Sequence, residues 1–503
     1  MTGDDGSLPG PAAWPLADAP ALSLAAAFDR RVDATPDRTA VIDADAGESW
    51  TYATFADRVA ARRAALPALE PGAQIGTLLG TGVPFAATAL ATWRAGATLV
   101  ALNVRLDEAT LADQAARAAL DCLVCAPGTR ETARAVAPDG VSIVSKAADG
   151  AREPRARAER SDDDEHLVLF TSGTTGRPKG VRLTARNLVA SANASADRLG
   201  VASGDRWLIP LPMYHMGGLS PLVRSTLYGT TTVLQGEFDV DRTAAVIEAR
   251  SITGVSLVPT MLRRLLDAGW SPPDRLRFVL LGGGPAPEAL IERCETRGVP
   301  VCPTYGATET ASQVATATPA EAFEHRGTVG RPLAGTDVAL VDPDGGPVRT
   351  GNAGELVVDG PTVSPGYLDD GATASAFDAR GFHTGDLARR DDAGRLWILG
   401  RVDDMIVTGG ENVRPARVAD VILAHDAVAD AAVVGVPDEE WGERVAALVV
   451  PAERGLETAA IRDWCRERLA DYEVPKTVRA VESVPRTASG TVDRERAREM
   501  ATR

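Results

Sequence analysis

The chain has 503 residues, of which 45% are hydrophobic and 24% charged, and its formal net charge is −16. This length exceeds what one hydrophobic core usually supports, so we expect two or more domains. The acidic balance excludes a broad nucleic-acid-binding face, and an anionic substrate must therefore be held by local donors and a divalent cation. The acidic first residues, the lack of an apolar run near the ~20 residues of a membrane span, and five scattered cysteines favour a soluble, cytoplasmic protein.

The first part of the chain alternates short apolar runs with helix-like stretches. The pattern predicts strands at 74–79, 98–102 and 121–125, with helices at 83–95 and 107–119 between them. This β-α-β-α-β rhythm is typical of a parallel sheet covered by helices. Cys122 and Cys125 fall in the third strand, where buried thiols are expected rather than a metal site.

The segment Leu167–Gly180 carries the strongest chemical signal. Its four apolar residues, 167–170, predict a buried strand that runs into a loop rich in Ser, Thr and Gly and closed by Lys179. Glycines let backbone N–H groups turn toward one centre, and hydroxyls and an ammonium group add donors for a polyphosphate. A Walker A loop would have Ser or Thr after its lysine, where this chain has Gly180. We interpret the loop as a nucleotide-phosphate site, and Lys179 is one of only three lysines in the sequence, with Lys146 and Lys476.

The same rhythm continues after the loop and then changes. Helices are predicted at 187–198, 218–227 and 242–249, and strands at 206–210, 231–234, 254–258 and 277–281. Beyond residue 330, short strands at 337–342, 354–358 and 395–398 separated by turns predict an antiparallel β subdomain. The charged stretch 147–165 is interpreted as a surface linker. From about residue 418, alternating helices and strands predict a small α+β domain.

Six further motifs follow the phosphate loop in a fixed order, at 211–218, 281–287, 305–310, 383–387, 400–412 and 485–490. Together they resemble the adenylate-forming superfamily of acyl-CoA synthetases, peptide-synthetase adenylation domains and luciferases, over roughly residues 25 to 495. The resemblance implies that Mg²⁺ and ATP convert a carboxylic acid into an acyl-adenylate, and that the thiol of coenzyme A then displaces AMP. It also implies an α/β fold with two parallel-sheet subdomains and a small β subdomain in the large N-terminal domain.

The resemblance gives a role to each matched position. Glu309 matches the Mg²⁺ ligand, a hard oxygen donor, and Thr308 an α-phosphate contact. His215 matches the residue at the entrance of the acyl site, although a structural histidine is the competing interpretation. Asp386 would accept hydrogen bonds from the ribose, with Arg401 beside it. The remaining matches are the phosphate contacts and the walls of the adenylate pocket: Thr171, Ser172, Gly173, Thr174 (also a metal contact), Thr175, Gly176, Lys179, Gly283, Gly284 and Tyr305.

The resemblance also implies two domains that move. It places a hinge at Asp403, within residues 401–403, between an N-terminal domain of residues 1–400 and a mobile C-terminal cap domain of residues 404–503. The cap rotates between the two half-reactions, which is a hinge transition. Gly409, Gly410 and Trp441 would line the pantetheine channel, where glycine permits close backbone approach to a thin substrate.

One departure from the family pattern lies near the C-terminus. The last family motif ends in Ser-Gly-Lys, and here Thr491 follows Gly490. Losing a positioned charged donor costs on the order of 10²-fold in rate. Either Arg494 or Lys476 replaces that lysine, or adenylation is slow, or the protein is a non-catalytic binder of acyl-adenylates.

Three stretches, at 214–229, 258–263 and 308–313, resemble the o-succinylbenzoate–CoA ligases of menaquinone biosynthesis in particular. This substrate keeps a second carboxylate, and the guanidinium of Arg224 is a natural partner for it. A surface arginine paired with an aspartate is the alternative. Ser312 and Gln313 could add contacts to the ketone or carboxylate. Another aryl or medium-chain acyl-CoA ligase is the remaining alternative, and a homo-oligomer stays open.

Overall fold

The fold is taken from a computed structural model, which describes residues 23–145, 160–171, 177–452, 456–486 and 492–502. Several positions named above lie outside the described residues: Lys146, Ser172, Gly173, Thr174, Thr175, Gly176, Thr491 and most of the predicted linker. In the ranges just given, no helix combines the length and apolar character that crossing a membrane requires.

The helices follow the predicted alternation closely. In chain order they are α1 (Leu24–Ala34), α2 (Tyr52–Ala65), α3 (Val83–Arg94), α4 (Glu108–Arg117), α5 (Arg130–Val136), α6 (Ala185–Leu199), α7 (Met216–Tyr228), α8 (Val240–Ala249), α9 (Pro259–Asp267), α10 (Glu288–Thr296), α11 (Pro319–Glu324), α12 (Asp370–Ala376), α13 (Pro415–Leu423), α14 (Thr458–Arg466) and α15 (Arg494–Thr502). Three short 3-10 turns occupy Pro127–Thr129, Thr308–Thr310 and Val402–Asp404.

The strands form four sheets. In chain order they are β1 (Thr39–Asp43), β2 (Ser49–Thr51), β3 (Gln74–Leu78), β4 (Thr98–Ala101), β5 (Cys122–Cys125), β6 (Ser142–Val144), β7 (Glu165–Thr171), β8 (Lys179–Thr184), β9 (Arg206–Ile209), β10 (Thr231–Leu234), β11 (Gly254–Leu257), β12 (Phe278–Leu281), β13 (Val301–Ala307), β14 (Ser312–Thr316), β15 (Arg331–Pro332), β16 (Asp337–Val341), β17 (Ala353–Asp359), β18 (Gly366–Tyr367), β19 (Phe377–Asp378), β20 (Gly381–Arg390), β21 (Leu396–Arg401), β22 (Ile406–Thr408), β23 (Glu411–Val413), β24 (Val428–Asp438), β25 (Gly442–Pro451) and β26 (Thr477–Ala480).

Two large sheets with parallel centres build most of the molecule. One has the order β18-β8-β7-β4-β3-β5-β6, in which the β18–β8 and β8–β7 pairs are antiparallel and the other pairs are parallel. The other has the order β15-β14-β13-β12-β11-β9-β10-β1-β2, with parallel pairing from β13 to β1. The predicted α/β architecture is confirmed, and Cys122 and Cys125 are buried thiols as expected.

The main core lies between these two sheets. It joins Leu99 and Leu167 of the first sheet to Ile209 and Leu280 of the second, with α3 and α7 between them. Because α3 is covered on nearly all sides, every residue from Val83 to Trp93 except Pro84 is buried, and the helix has no polar face. The central strands β4, β5 and β12 are likewise wholly buried, which explains their unbroken apolar sequences.

Two smaller sheets follow. The antiparallel sheet predicted after residue 330 is formed by β16, β17, β20 and β19, with β21 paired to β20. The last sheet, β23-β22-β25-β24 with β26, carries α13 to α15 and has its own core around Val445 and Ile461. Several elements were not predicted, among them α9 and the ten-residue β20. The sequence of β20 has two glycines and no apolar run, so it gave no strand pattern.

Candidate active site

The phosphate loop is framed by a strand pair. β7 and β8 run antiparallel, and their register sets Thr171 opposite Lys179 and Phe170 opposite Gly180. The two described ends of the loop therefore face each other where β7 reaches its carboxyl end. The ammonium of Lys179 lies 4.9 Å from the centroid of the Tyr367 ring. Lys179 therefore lies at the described end of the loop, where the sequence predicts a phosphate site.

Glu309 lies in the 3-10 turn that directly follows β13, together with Thr308. Its Oε1 accepts a hydrogen bond of 2.8 Å from the hydroxyl of Tyr367. Burial raises the pKa of Glu309, while the Tyr367 hydroxyl, Lys179 and Arg401 act in the opposite direction. Mg²⁺ is often bound by one or two carboxylates plus substrate phosphates, so a single buried glutamate fits this ion.

A second carboxylate lies near the first, on the small antiparallel sheet. Asp386 of β20 is in register with Arg401 of β21. Arg401 Nη1 lies 3.3 Å from Asp386 Oδ1, and the Tyr305 hydroxyl donates to Asp386 Oδ2 at 2.6 Å. Burial raises the pKa of Asp386, and the Arg401 charge opposes this rise. A ribose bound here would donate its hydroxyls to the Asp386 carboxylate, which already accepts a hydrogen bond from the Tyr305 hydroxyl.

The expected adenylate pocket is lined by the loop after β12. Gly283 has a φ of 77°, a left-handed conformation that glycine adopts without strain. Gly284 follows it, and the neighbouring strand β13 carries Tyr305. A Cβ on Gly306 would lie 1.6 Å from the carbonyl oxygen of Ser312, so only glycine permits the close approach of β13 and β14 here. These loops leave the carboxyl ends of parallel strands, where α/β sheets bind ligands.

Arg224 is enclosed by the protein. It belongs to α7, is 1% exposed, and stacks over Trp207 at 5.3 Å from the ring centroid. Its Nη2 donates to Ser312 Oγ at 3.2 Å, whereas Nε and Nη1 have no hydrogen-bond partner among the residues that the structure describes. Burial lowers the pKa of Arg224 to about 10. The alternative of a surface arginine paired with an aspartate is therefore wrong.

The turn that brings Ser312 to Arg224 is strained. Ala311 and Ser312 have φ values of 51° and 117°, which residues other than glycine rarely adopt. The Ser191 hydroxyl donates to the Ala311 carbonyl at 2.7 Å and helps to hold this turn. Such strain persists where the surrounding structure fixes it, typically at functional sites. Gln313 points elsewhere: its amide nitrogen donates to Thr316 Oγ1 at 2.6 Å.

His215 precedes α7, the helix of Arg224. Its Nε2 is buried and has no hydrogen-bond partner within the described ranges. Burial, assisted by the charge of Arg105, lowers the pKa of His215 to about 4. The imidazole is consequently neutral at physiological pH, with a nitrogen available to a bound molecule. This state suits a residue at the entrance of an acyl pocket.

The expected hinge lies between two ion pairs. Asp403 is exposed in the turn Val402–Asp404. On one side of it, Arg401 is paired with Asp386, and on the other, Asp404 is paired with Arg494 of α15. The two pairs tie the ends of this short segment to β20 on one side and to α15 on the other, with the exposed Asp403 between them.

The expected pantetheine channel is formed by close backbone packing. Gly409 and Gly410 have left-handed φ values of 60° and 84°. A Cβ on Gly409 would lie 2.6 Å from the indole of Trp441, which is 40% exposed. The ammonium of Lys476 lies 3.4 Å from the centroid of the Trp441 ring. Of the two cations considered as substitutes at Thr491, Lys476 therefore lies at Trp441, and Arg494 lies near Asp386.

Sequence reasoning missed Tyr367 and Ser364. Both lie in a stretch, Ser364-Pro-Gly-Tyr-Leu368, that reads as an ordinary turn. Their role emerges only from contacts with Glu309, which is distant in sequence. No periodicity or composition could have found them.

The family can be stated from comparison with known proteins. The chain belongs to the AMP-binding enzyme family: the profile of that family matches residues 28–368, and that of the AMP-binding enzyme C-terminal domain matches residues 417–491. The resemblance noted in the sequence is thereby confirmed.

Relatives and solved structures agree with this assignment. The 2-succinylbenzoate–CoA ligase of Bacillus licheniformis is 37% identical over 467 residues, which cover 92% of this chain and 97% of the relative. The o-succinylbenzoate CoA synthetase (MenE) of Bacillus subtilis, in complex with the acyl-adenylate intermediate OSB-AMP, is 33% identical with a TM-score of 0.87, covering 94% and 97% of the two chains. ATP-bound MatB from Rhodopseudomonas palustris is 29% identical, with a TM-score of 0.88 and coverage of 95% and 98%.

Proposed function

We propose that this chain is an ATP-dependent, AMP-forming ligase that converts 2-succinylbenzoate and coenzyme A into 2-succinylbenzoyl-CoA, a reaction of menaquinone biosynthesis. Relatives of that name match at 37% identity over nearly the whole chain. The observation that carries the choice of acid is Arg224, whose buried guanidinium has two nitrogens without a hydrogen-bond partner among the described residues. An uncompensated buried cation is costly, so a carboxylate that enters this pocket gains a strong partner.

The substrate has the matching chemistry. One carboxylate of 2-succinylbenzoate is consumed when it is joined to AMP, and the other remains as an anion. Arg224 would bind this second carboxylate, with Ser312 Oγ beside it at 3.2 Å from Nη2.

For the first half-reaction, the loop that contains Thr171 to Gly176 and Lys179 would hold the β- and γ-phosphates of ATP. Glu309 would hold Mg²⁺ together with Thr174, and Thr308 would contact the α-phosphate. A bound Mg²⁺ ion would neutralise phosphate charge, which is the main requirement of a reaction between two anions. Tyr305, Gly283 and Gly284 would enclose the adenylate, and Asp386 with Arg401 its ribose.

For the second half-reaction, the domain of residues 404–503 would turn about residues 401–403 relative to the domain of residues 1–400. The position of Asp403 between two ion pairs, one on each side of it, supports this proposal. Gly409, Gly410 and Trp441 would then guide the pantetheine arm past His215 to the acyl-adenylate.

The test compares Arg224→Ala with wild type on two acids, 2-succinylbenzoate and benzoate. Losing a hydrogen-bonded charge should raise KM for 2-succinylbenzoate by about tenfold to a hundredfold, with little change for benzoate, which has no second carboxylate. Arg224→Lys retains the charge without the two-pronged geometry and should be intermediate. Equal losses on both acids would make Arg224 structural, and a wild-type preference for benzoate would point to another aryl-CoA ligase.

Thr491 supports one other candidate, a protein that binds acyl-adenylates without making them. ATP–pyrophosphate exchange with 2-succinylbenzoate separates the two functions. Exchange above background supports the ligase, and binding of a non-hydrolysable acyl-adenylate with no exchange supports the binder.

A further inference from the structure

Residues 364–368, which we call the tyrosine strap, connect two parts of the site that are far apart in sequence. Tyr367 pairs with Val181 of β8, and the Leu368 amide donates to the Gly180 carbonyl at 2.8 Å. At the other end, the Ser364 amide donates to the carbonyl of Glu309 at 2.7 Å. The strap is thus bonded both to the strand that leaves the phosphate loop and to the turn that carries Glu309.

The side chain of Tyr367 also connects the phosphate loop to Glu309. It is 3% exposed, its hydroxyl donates to Glu309 Oε1 at 2.8 Å, and its ring lies under the Lys179 ammonium at 4.9 Å. Lys179 and Glu309 thus contact the same tyrosine, one at its ring and the other at its hydroxyl, and form no ion pair with each other. A direct pair would engage both charges and leave neither for a ligand.

The strap itself is held firmly. Gly366 has a φ of 133°, and a Cβ there would lie 2.4 Å from Thr373. The Thr373 hydroxyl accepts a hydrogen bond of 2.9 Å from the Tyr367 amide. The Tyr367 ring also packs edge-on against Phe377, with 5.7 Å between centroids. With backbone and ring both fixed, the phenolic hydroxyl is a stationary donor.

We propose that Tyr367 is a positioning residue that keeps Glu309 available to the Mg²⁺ of Mg-ATP and apart from Lys179. The hydroxyl, bonded to Oε1, would fix the orientation of the Glu309 carboxylate, while the ring gives Lys179 a separate contact, a cation–π interaction. The inference rests on the proposed function, specifically on Glu309 as the Mg²⁺ ligand.

The test measures ATP binding by calorimetry over a range of Mg²⁺ concentrations and in EDTA, with no acid and no turnover. Tyr367→Phe keeps the ring and removes the hydroxyl. We expect the Mg²⁺ concentration for half-maximal enhancement of ATP binding to rise about tenfold, the usual effect of losing a hydrogen bond to a charged group. Affinity for ATP in EDTA should stay unchanged. Tyr367→Leu should also weaken binding in EDTA, by about fivefold, because Lys179 loses its ring contact.

Tyr52→Phe is the matched control. Tyr52 is equally buried, and its hydroxyl donates to the backbone carbonyls of Ser225 and Thr230 in the core. The Tyr52→Phe variant should lower the melting temperature about as much as Tyr367→Phe does. It should leave the Mg²⁺ concentration for half-maximal enhancement of ATP binding unchanged. Thr373→Val, which removes the hydroxyl that holds the Tyr367 amide, should shift the Mg²⁺ dependence in the same direction as Tyr367→Phe.

Glu309→Gln separates failure of this inference from failure of the proposed function. If Glu309→Gln leaves the Mg²⁺ dependence of ATP binding unchanged, Glu309 is not the metal ligand. The role of Glu309 in the proposed function and the positioning role of Tyr367 are then both overturned. If Glu309→Gln abolishes the dependence and Tyr367→Phe does not shift it, only the role of Tyr367 is overturned. In the double variant, Tyr367→Phe should have no further effect, because the two residues act through one interaction.

Discussion

Asp386 and Arg401 face each other on the adjacent strands β20 and β21, with 3.3 Å between Oδ1 and Nη1. The pair lies at the end of the small sheet from which the chain passes, through Asp403, into the C-terminal domain. The Tyr305 hydroxyl completes the group on the other carboxylate oxygen at 2.6 Å. The expected ribose contact and the expected start of the hinge are thus parts of one cluster.

This arrangement predicts the effect of Asp386→Asn on nucleotide binding. The amide keeps the shape but loses the charge, so AMP binding measured by calorimetry should weaken by about tenfold to a hundredfold. Asp391→Asn is the matched control, because Asp391 pairs with Arg395 at 2.8 Å in the same β20–β21 hairpin. AMP affinity that falls equally in both variants would show a general effect on the hairpin instead of a ribose contact.

Lys179→Ala should weaken ATP binding by about tenfold to a hundredfold while leaving the melting temperature nearly unchanged, because the ammonium makes a charge-assisted contact only when phosphate is bound. Calorimetric titration with ATP checks the affinity, and thermal denaturation checks the fold. Arg186→Ala removes one exposed cation paired with Asp163 and serves as the control. Unchanged ATP affinity in the lysine variant would exclude the loop as a phosphate site.

His215 should make the protein less stable as the pH falls. Its pKa is lowered to about 4 in the folded protein, against about 6.5 when unfolded. Between these values the unfolded chain binds one more proton than the folded chain. The free energy of unfolding therefore decreases as the pH is lowered, by at most about 3 kcal/mol in total. The free energy of unfolding, measured with urea across this pH range, should depend less on pH in His215→Asn than in wild type. The buried His166 would account for part of the pH dependence that remains. Parallel curves would mean that His215 is solvated in the native state.

Thr491→Lys should accelerate adenylate formation, on the order of 10²-fold if no other cation takes the place of the family lysine. Thiol transfer from preformed acyl-adenylate should be unchanged, which stopped-flow measurement of the two half-reactions can check. Arg494→Ala tests the alternative, because Arg494 is held by Asp404 close to Asp386. Slower adenylation in Arg494→Ala together with no gain in Thr491→Lys would identify Arg494 as the substitute.

The sequence predicted those features that follow from local pattern. Alternating apolar runs located the parallel strands, because strands buried on both faces are continuously apolar. Glu309 was assigned by the family motif at 305–310, whereas β13, which precedes it, was not predicted. Arg224 shows the limit of this reasoning, because helical amphipathicity would turn an arginine in α7 toward solvent. Since α7 lies between the two sheets, it has no solvent side, and Arg224 is enclosed with the apolar residues around it.

The features that could not be predicted depend on contacts between distant segments or on backbone strain. Tyr367 meets Glu309 only because β18 pairs with β8 at the edge of the first sheet. The positive φ of Ser312 has no sequence signature, since serine rarely adopts it. The position of Lys476 against Trp441 likewise follows from the packing of the C-terminal sheet.

The scarcity of lysine gives the protein a practical property. Two of the three lysines each lie against an aromatic ring, Lys179 against Tyr367 and Lys476 against Trp441. Amine-directed reagents modify lysine and leave arginine untouched, so after Lys146→Arg a fluorophore has only these two side chains and the N-terminal amine to attach to. Tryptophan is a natural quencher, so emission from a dye on Lys476 would report each change in the surroundings of Trp441. The distribution of amines thus supplies a built-in pair of optical probes, one at each expected ligand site.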